Sequence, residues 1–159
     1  MIHPHTYIHH NAKLADNVKI DPFTVIHQDV EIGEGTWVAS NVTIMAGTKI
    51  GSNCRIFPCA VLGAIPQDLK FDGEKTHVEI GNNTTVRECV TINRGTNDRG
   101  KTKVANNCLI MAYAHIAHDC LIADNCIISN STQLAGHVTM DEYAIIGGVS
   151  AVHQFVHIG

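Results

Sequence analysis

An apolar, nearly always aliphatic residue recurs at every sixth position along almost the whole chain, and this spacing restricts the possible folds more than any other feature. The series has gaps between Leu62 and Ile80 and between Ile92 and Val104, yet it continues in the same frame across both. Neither an α-helix nor a simple amphipathic strand has a six-residue period, whereas a short strand followed by a turn does. The recurring positions are Ile2, Ile8, Leu14, Ile20, Ile26, Ile32, Val38, Ile44, Ile50, Ile56, Leu62, Ile80, Val86, Ile92, Val104, Ile110, Ile116, Ile122, Ile128, Leu134, Met140, Ile146, Val152 and Ile158.

A second position of the repeat supports this interpretation. The residue four places after each aliphatic one is nearly always small or β-branched, as Thr24, Val42 and Ala60 illustrate. Four of the chain's 6 cysteines occupy this position, namely Cys54, Cys108, Cys120 and Cys126. We therefore expect these cysteines to be small core residues rather than ligands or nucleophiles.

The turns of the repeat are rich in residues that tolerate unusual backbone geometry. Glycine or asparagine stands next to or within the predicted turns at Gly33, Gly51, Gly63, Gly81, Gly147, Asn17, Asn53, Asn107 and Asn125. Three short strands separated by such turns form a triangular coil, and coils stack at about 4.8 Å, the ordinary strand spacing. The sequence thus predicts an all-β fold, a parallel β-helix forming a single domain over residues 1–159. Parallel crossovers are usually right-handed, and the period alone does not determine the hand.

The two gaps predict two protruding loops, over residues 63–79 and 97–103. In the first loop, Asp68 and Lys70 lie beside the apolar Leu69 and Phe71, which favours folding of the loop back onto the helix. The second loop is polar and charged, and a plain solvated excursion explains it equally well. Loops that leave a rigid scaffold commonly carry function.

The chain has 11 histidines, and four of them have a suggestive spacing. The intervals from His118 to His137 and from His137 to His153 are both close to one coil of three repeats, while His115 stands one turn before His118. We expect these side chains to line one groove. The groove could be aligned surface residues, a zinc site of three histidines, or the site of a general base. Asp119 could orient His118 only if the pair lies at a corner, because neighbours in a straight strand point to opposite faces.

Several segments, taken in order, resemble the UDP-N-acetylglucosamine O-acyltransferases of the hexapeptide-repeat acyltransferase family. They are residues 67–70 (QDLK), 90–96 (VTINRGT), 114–120 (AHIAHDC), 134–138 (LAGHV), 145–148 (IIGG) and 151–155 (AVHQF). Each segment alone is moderately specific, whereas all of them at coherent spacing are strongly so. The resemblance runs from the first residue to the last. It implies a left-handed helix, against the general rule for parallel crossovers.

The resemblance also implies a reaction, the transfer of a 3-hydroxyacyl group from acyl carrier protein to the 3-hydroxyl of UDP-N-acetylglucosamine, the first step of lipid A biosynthesis. His118 would be the general base, Asp119 would orient it, and the backbone N–H of Gly136 would stabilise the oxyanion. The residues implied to bind substrate are Gln67, Asp68, Lys70, His115, His137, His153 and Gln154. No metal and no other cofactor are implied. Family members assemble as homotrimers, with the groove between neighbours.

Composition limits the alternatives. The net charge is −4, so charge alone predicts no nucleic-acid partner. No apolar run is long enough to span a membrane, and the N-terminus resembles no secretory signal, so a cytoplasmic protein is expected. The family's C-terminal helical domain is missing from the sequence, and the resemblance leaves open whether this 159-residue form is catalytically active. The rival functions are the later N-acyltransferase of the same pathway, a metalloenzyme like the γ-class carbonic anhydrases, and a β-helix without catalytic activity. The first has a globular domain before its coils, whereas these repeats begin at Ile2.

Overall fold

The computed structural model describes residues 1–159 and contains 23 short β-strands and no helix. In chain order the strands are β1 (Tyr7–Ile8), β2 (Lys13–Leu14), β3 (Lys19–Ile20), β4 (Val25–Ile26), β5 (Glu31–Ile32), β6 (Trp37–Val38), β7 (Thr43–Ile44), β8 (Thr48–Ile50), β9 (Arg55–Ile56), β10 (Val61–Ala64), β11 (His77–Ile80), β12 (Thr85–Val86), β13 (Thr91–Asn93), β14 (Lys101–Val104), β15 (Leu109–Ile110), β16 (His115–Ile116), β17 (Leu121–Ile122), β18 (Ile127–Ile128), β19 (Gln133–Leu134), β20 (Thr139–Met140), β21 (Ile145–Ile146), β22 (Ala151–Val152) and β23 (His157–Ile158). No helix is present that could cross a membrane.

Every third strand belongs to the same parallel sheet, so the chain winds around three flat faces. Face 1 is the eight-stranded sheet from β1 to β22, face 2 the eight-stranded sheet from β2 to β23, and face 3 the seven-stranded sheet from β3 to β21. Pairing of Tyr7 with Val25 shows that one coil takes three of the six-residue repeats. The fold is a left-handed parallel β-helix, and the fold class predicted from the sequence is confirmed.

The recurring aliphatic residues form one continuous core inside the stack. The inward residues of the central strands, such as Ile26, Ile56 and Ile110, are fully buried, whereas those of the strands at the two ends of the stack are partly buried. The small position beside each corner is buried as well, and there threonine hydroxyls donate to backbone carbonyls, as Thr24 does to Ala39 at 2.8 Å. The prediction for Cys54, Cys108, Cys120 and Cys126 is confirmed, since all four are buried with free thiols.

The turns repeat one backbone conformation, a left-handed residue three places after the aliphatic one. The predicted turn asparagines, Asn17, Asn53, Asn107 and Asn125, all have this conformation, with φ between 55° and 61°. The same expectation is wrong for Gly33, Gly51, Gly81 and Gly147, whose φ is not positive. The first three are required by close approach of successive coils instead, whereas a Cβ on Gly147 would meet no atom within 4 Å. A Cβ on Gly33 would lie 2.6 Å from the carbonyl carbon of Gly51, and one on Gly81 would lie 2.6 Å from that of Ala105.

The two excursions leave the same corner of the helix. The first joins β10 to β11 and comprises residues 65–76, and the second joins β13 to β14 and comprises residues 94–100. Both connect face 1 to face 2, one coil apart. Their boundaries differ from the predicted 63–79 and 97–103. The loops end earlier because Lys101–Val104 pairs with His77–Ile80 as a regular strand, and they begin where β10 ends at Ala64 and β13 ends at Asn93. The corner between faces 1 and 2 therefore carries both loops.

Candidate active site

The corner between faces 1 and 2 continues past the two excursions with three stacked turn residues, Asp119, His137 and Phe155. All three have positive φ, between 61° and 65°. The backbone N–H of His137 donates to the carbonyl of His118 at 3.0 Å, and that of Phe155 donates to Gly136 at 3.2 Å. The rings of His137 and Phe155 stack at 4.5 Å. The regular coil spacing thus brings residues one coil apart into a single column, beside both loops.

His118 and Asp119 form a hydrogen-bonded pair at this corner. The Nδ1 atom of His118 lies 2.9 Å from Oδ2 of Asp119, and both side chains are buried. Burial is the largest influence on the pKa of Asp119 and raises it, but the hydrogen bonds from Thr96, His118 and the backbone outweigh burial and hold this pKa below its ordinary value. Asp119 is therefore a carboxylate at neutral pH. The sequence allows Asp119 to orient His118 only if this pair lies at a corner rather than in a straight strand, and the pair does lie at the corner that follows β16.

The carboxylate of Asp119 accepts four hydrogen bonds. Its Oδ1 atom accepts from the backbone N–H groups of Thr96 at 3.0 Å and Arg99 at 3.3 Å. Its Oδ2 atom accepts from the Thr96 hydroxyl at 2.6 Å and from His118. The guanidinium of Arg99 also donates to the Asp119 carbonyl at 2.8 Å. The second excursion therefore folds back onto the corner and surrounds Asp119.

The hydrogen bond to Asp119 assigns the proton of a neutral His118 to Nδ1 and leaves the lone pair on Nε2. The Nε2 atom lies 3.9 Å from Oδ2 of Asp68 in the first excursion. The ring also lies directly against Gly136, where a Cβ would be 2.6 Å from Nε2. The ring of His137 meets it edge-on at a centroid distance of 5.2 Å. This arrangement presents a basic nitrogen toward the space between the two loops.

That space is a polar cavity of about 420 Å³, lined by Asp68, Lys70, Glu74, Thr96, Asn97, Asp98, His137 and Phe155. The two excursions meet across it, where the Asn97 N–H donates to Glu74 at 3.4 Å. Asp98 approaches His137, with 3.2 Å between Oδ2 and Nδ1. The structure thus brings together the predicted residues Asp68, Lys70, His118, Asp119, Gly136 and His137.

His115 and His153 line a second, largely apolar cavity of about 420 Å³ on face 1, together with Ala117, Gln133, Leu134, Ala135, Ala151 and Val152. Nδ1 of His115 is 2.7 Å from the Thr91 hydroxyl. Burial is the largest influence on the pKa of His115 and lowers it, and repulsion from His118 lowers it further. His137 lines the polar cavity, His115 and His153 line the second one, and His118 lines neither, so the expectation of one shared groove is wrong. The intervals between these histidines depart from a whole coil and place them at different points of the turn. Gln67 and Gln154 are exposed and line neither cavity.

Three potential metal ligands, His118, Asp119 and His137, have donor atoms within 4.8 Å of one another. A carboxylate offers about four lone-pair positions, and the four hydrogen bonds already fill those of Asp119. Metal coordination by Asp119 would break at least one of them. The donor set therefore suits orientation of an imidazole better than a zinc centre.

Cys120 directly follows Asp119 but is not placed for chemistry. Its side chain faces the core, where the thiol donates to the Ala135 carbonyl at 3.2 Å. Burial raises its pKa to about 12, so the thiol stays protonated at neutral pH. The expectation that this cysteine is a core residue holds.

The site also includes Thr96, Asp98 and Arg99, which the sequence did not single out. Only the position of the second excursion could have indicated these residues. The excursion interrupts the repeat between Ile92 and Val104, at the same corner as His118 and one coil before it. Charge and polarity in the loop were compatible with a solvated excursion.

Comparison with known proteins identifies the family of the chain. The family described as bacterial transferase hexapeptide (six repeats) matches residues 29–64 and 101–136. The fold and this match place the chain among the proteins built from the hexapeptide repeat of bacterial transferases. The chain is 40% identical, over 99% of its length, to the acyl-[acyl-carrier-protein]--UDP-N-acetylglucosamine O-acyltransferase of Campylobacter concisus, and it covers 61% of that protein.

Solved structures give the same result. The UDP-N-acetylglucosamine acyltransferase of Francisella novicida is 45% identical with a TM-score of 0.97, over 99% of this chain and 58% of that one. The enzyme of the same name from Bacteroides fragilis is 43% identical with a TM-score of 0.83, over 100% of this chain and 67% of that one. The chain belongs to the UDP-N-acetylglucosamine O-acyltransferase family of hexapeptide-repeat proteins. It spans about three fifths of the length of the curated relative that it matches.

Proposed function

We propose that this chain transfers a 3-hydroxyacyl group from acyl carrier protein to the 3-hydroxyl of UDP-N-acetylglucosamine, the first step of lipid A biosynthesis. The observation that carries the proposal is the buried pair of His118 and Asp119, joined at 2.9 Å, with Nε2 of His118 facing the space between the loops. The names of the relatives supply the two substrates. The later N-acyltransferase and a carbonic-anhydrase-like enzyme receive no such support.

In the proposed reaction, His118 Nε2 takes the proton of the sugar hydroxyl as its oxygen attacks the thioester carbonyl. Asp119 stabilises the imidazolium that forms, and its hydrogen bond keeps the ring in the required orientation. The negative charge that develops on the carbonyl oxygen is stabilised by the backbone N–H of Gly136, which donates to no backbone carbonyl in the structure. When the intermediate collapses, the carrier thiolate leaves and takes the proton from His118.

The two cavities suit the two substrates. Asp68 can accept hydrogen bonds from sugar hydroxyls, and Lys70 is the only basic side chain other than histidine that lines the polar cavity, so it is suited to a phosphate. The cavity that His115 and His153 line is mostly apolar and suits the start of an acyl chain. Gln67 and Gln154 are exposed, and we propose that they complete the site when substrate is bound.

We also propose that the chain acts in the cytoplasm and as a homotrimer. A second copy would cover the apolar column on face 3, where Leu109, Ile127 and Ile145 pair in register. Ile145 is 65% exposed in the single chain. Exposed apolar columns of this kind are typical of protein interfaces.

The experiment that tests the function is an acyl-transfer assay with UDP-N-acetylglucosamine and 3-hydroxyacyl carrier proteins of several chain lengths. We expect His118→Ala to lower kcat by about 100-fold or more, because a general base contributes about 100- to 10,000-fold. The matched control is His157→Ala, since His157 is exposed and bonded only to Asp141. Absence of transfer by the wild-type chain with every donor, or full activity of His118→Ala, would reject the proposal.

A further inference from the structure

We propose that the Thr96 hydroxyl is a positioning group for the catalytic base, so that the second excursion is part of the catalytic machinery. The inference rests on the proposed function, because it assigns Thr96 a role through His118. Thr96 is distant in sequence from the His118–Asp119 pair, yet its hydroxyl lies 2.6 Å from Oδ2 of Asp119. The oxygen that holds His118 is therefore shared with Thr96.

The hydrogen bonds around this hydroxyl run in one direction. The backbone N–H of Asp98 donates to Thr96 Oγ1 at 3.3 Å, so the hydroxyl proton is free to point to Asp119. Asp119 Oδ2 is ionised and can only accept, from the hydroxyl on one side and from His118 Nδ1 at 2.9 Å on the other. The direction of this chain fixes the proton of a neutral His118 on Nδ1. The Nε2 atom is then the base.

Two neighbouring side chains compete with the hydrogen bond between His118 and Asp119. Nε2 of His137 lies 3.7 Å from the same carboxylate oxygen, and Asp68 lies 3.9 Å from Nε2 of His118. A rotation of the Asp119 carboxylate toward His137 would release His118 Nδ1. A proton on Nε2 facing Asp68 would then be favoured, and His118 could no longer accept a proton there. The Thr96 hydroxyl restrains this rotation.

The hydroxyl can be removed without detaching the loop. Three other hydrogen bonds join the excursion to Asp119, from the backbone N–H groups of Thr96 and Arg99 and from the Arg99 guanidinium to the Asp119 carbonyl. Thr96→Val has nearly the shape of the original side chain but lacks the hydroxyl, which donates to Asp119 and accepts the long hydrogen bond from the Asp98 N–H. It therefore separates positioning from folding, and Thr96→Ser restores the donor.

The test compares Thr96→Val, Thr96→Ser and a matched control, Thr84→Val. Thr84 likewise accepts a backbone N–H, from Cys108 at 3.2 Å, and donates to an oxygen, the Ala105 carbonyl at 2.8 Å, but it lies at another corner. We measure kcat and KM in the acyl-transfer assay. Independently of activity, the ¹⁵N shifts of the His118 ring, assigned by their loss in His118→Asn, report at alkaline pH which nitrogen carries the proton.

We expect Thr96→Val to lower kcat by about 10- to 100-fold, the loss typical for one hydrogen bond to a charged group, with little change in KM. Its His118 ring should lose the preference for a proton on Nδ1, and Thr96→Ser and Thr84→Val should resemble the wild type in both measurements. Wild-type kcat and ring shifts in Thr96→Val would overturn the proposal, as would equal losses in the valine and serine variants with unshifted ring signals. If the wild type transfers no acyl group but the ring signals of Thr96→Val shift, the proposed function fails and the positioning role stands.

Discussion

At the scale of single residues, the site depends on one backbone conformation. His118 and Asp119 are neighbours in sequence, and in a straight strand their side chains would point apart. The left-handed conformation of Asp119, with φ of 61°, lets the corner direct both side chains to the same place. Aspartate adopts this conformation more readily than most residues, so one side chain serves the turn and the base together.

A second residue-scale requirement is the missing side chain of Gly136. A Cβ there would lie 2.5 Å from Cε1 and 2.6 Å from Nε2 of His118, so the ring would have to move. We predict that Gly136→Ala lowers kcat by about 100-fold, the effect of misplacing a reacting group by about 1 Å, while the backbone N–H is kept. The measurement is the acyl-transfer assay combined with thermal unfolding of the variant.

The control for this variant is Gly147→Ala, because a Cβ on Gly147 meets no atom within 4 Å and its φ is not positive. We expect the control to keep wild-type activity and Tm. Wild-type kcat in Gly136→Ala would contradict the placement of the His118 ring against Gly136.

Residue by residue, the sequence predicted the dyad but not the groups that hold it. His118 and Asp119 belong to a regular repeat, so their place follows from counting. Thr96 and Arg99 belong to an excursion without a period, and their approach to Asp119 depends on how that segment folds back. Only the three-dimensional path of the loop shows which groups donate to the buried carboxylate, although burial requires that some do.

At the scale of the elements, two-residue strands have no stability of their own and exist through stacking. The six-residue period predicted their positions because the core depends on the inward residue of each strand. It did not predict which glycines serve a turn and which serve close contact between coils. A glycine in a turn and a glycine at a contact between coils look alike in the sequence. Only the distance between backbones one coil apart distinguishes them.

The close contact between successive coils at Gly81 leads to the prediction at this scale. A Cβ on Gly81 would lie 2.6 Å from the carbonyl carbon and 2.8 Å from the carbonyl oxygen of Ala105, which are backbone atoms of the next coil. We predict that Gly81→Ala destabilises the fold by about 1–3 kcal/mol, the usual cost of overpacking. Its Tm should fall by about 2–12 °C in a thermal melt followed by circular dichroism. Gly147→Ala is again the matched control, and an unchanged Tm in Gly81→Ala would show that the coils separate freely at this point.

At the scale of the whole molecule, the three faces differ in chemistry although the same repeat builds them. On face 2 the outward residues Lys13, Glu31, Lys49, Glu79 and Lys103 alternate in charge in successive coils. In such a column each charge has opposite charges as neighbours and remains in contact with water. Each exposed ion pair adds little stability. Face 3 presents aliphatic side chains in its later coils instead. The faces therefore differ in their tendency to associate, with face 3 favoured over face 2.

The proposed trimer can be tested on this difference. We predict that sedimentation equilibrium gives a mass near three times the 17.2 kDa of one chain. Ile145→Glu places a charge in the aliphatic column of face 3 and should shift the protein toward the monomer, because burying an unpaired carboxylate is costly. Thr139→Glu, on face 2 of the same region, is the control and should keep the wild-type mass. A wild-type mass of one chain would reject the trimer, and a trimer unaffected by Ile145→Glu would show that the copies meet through another face.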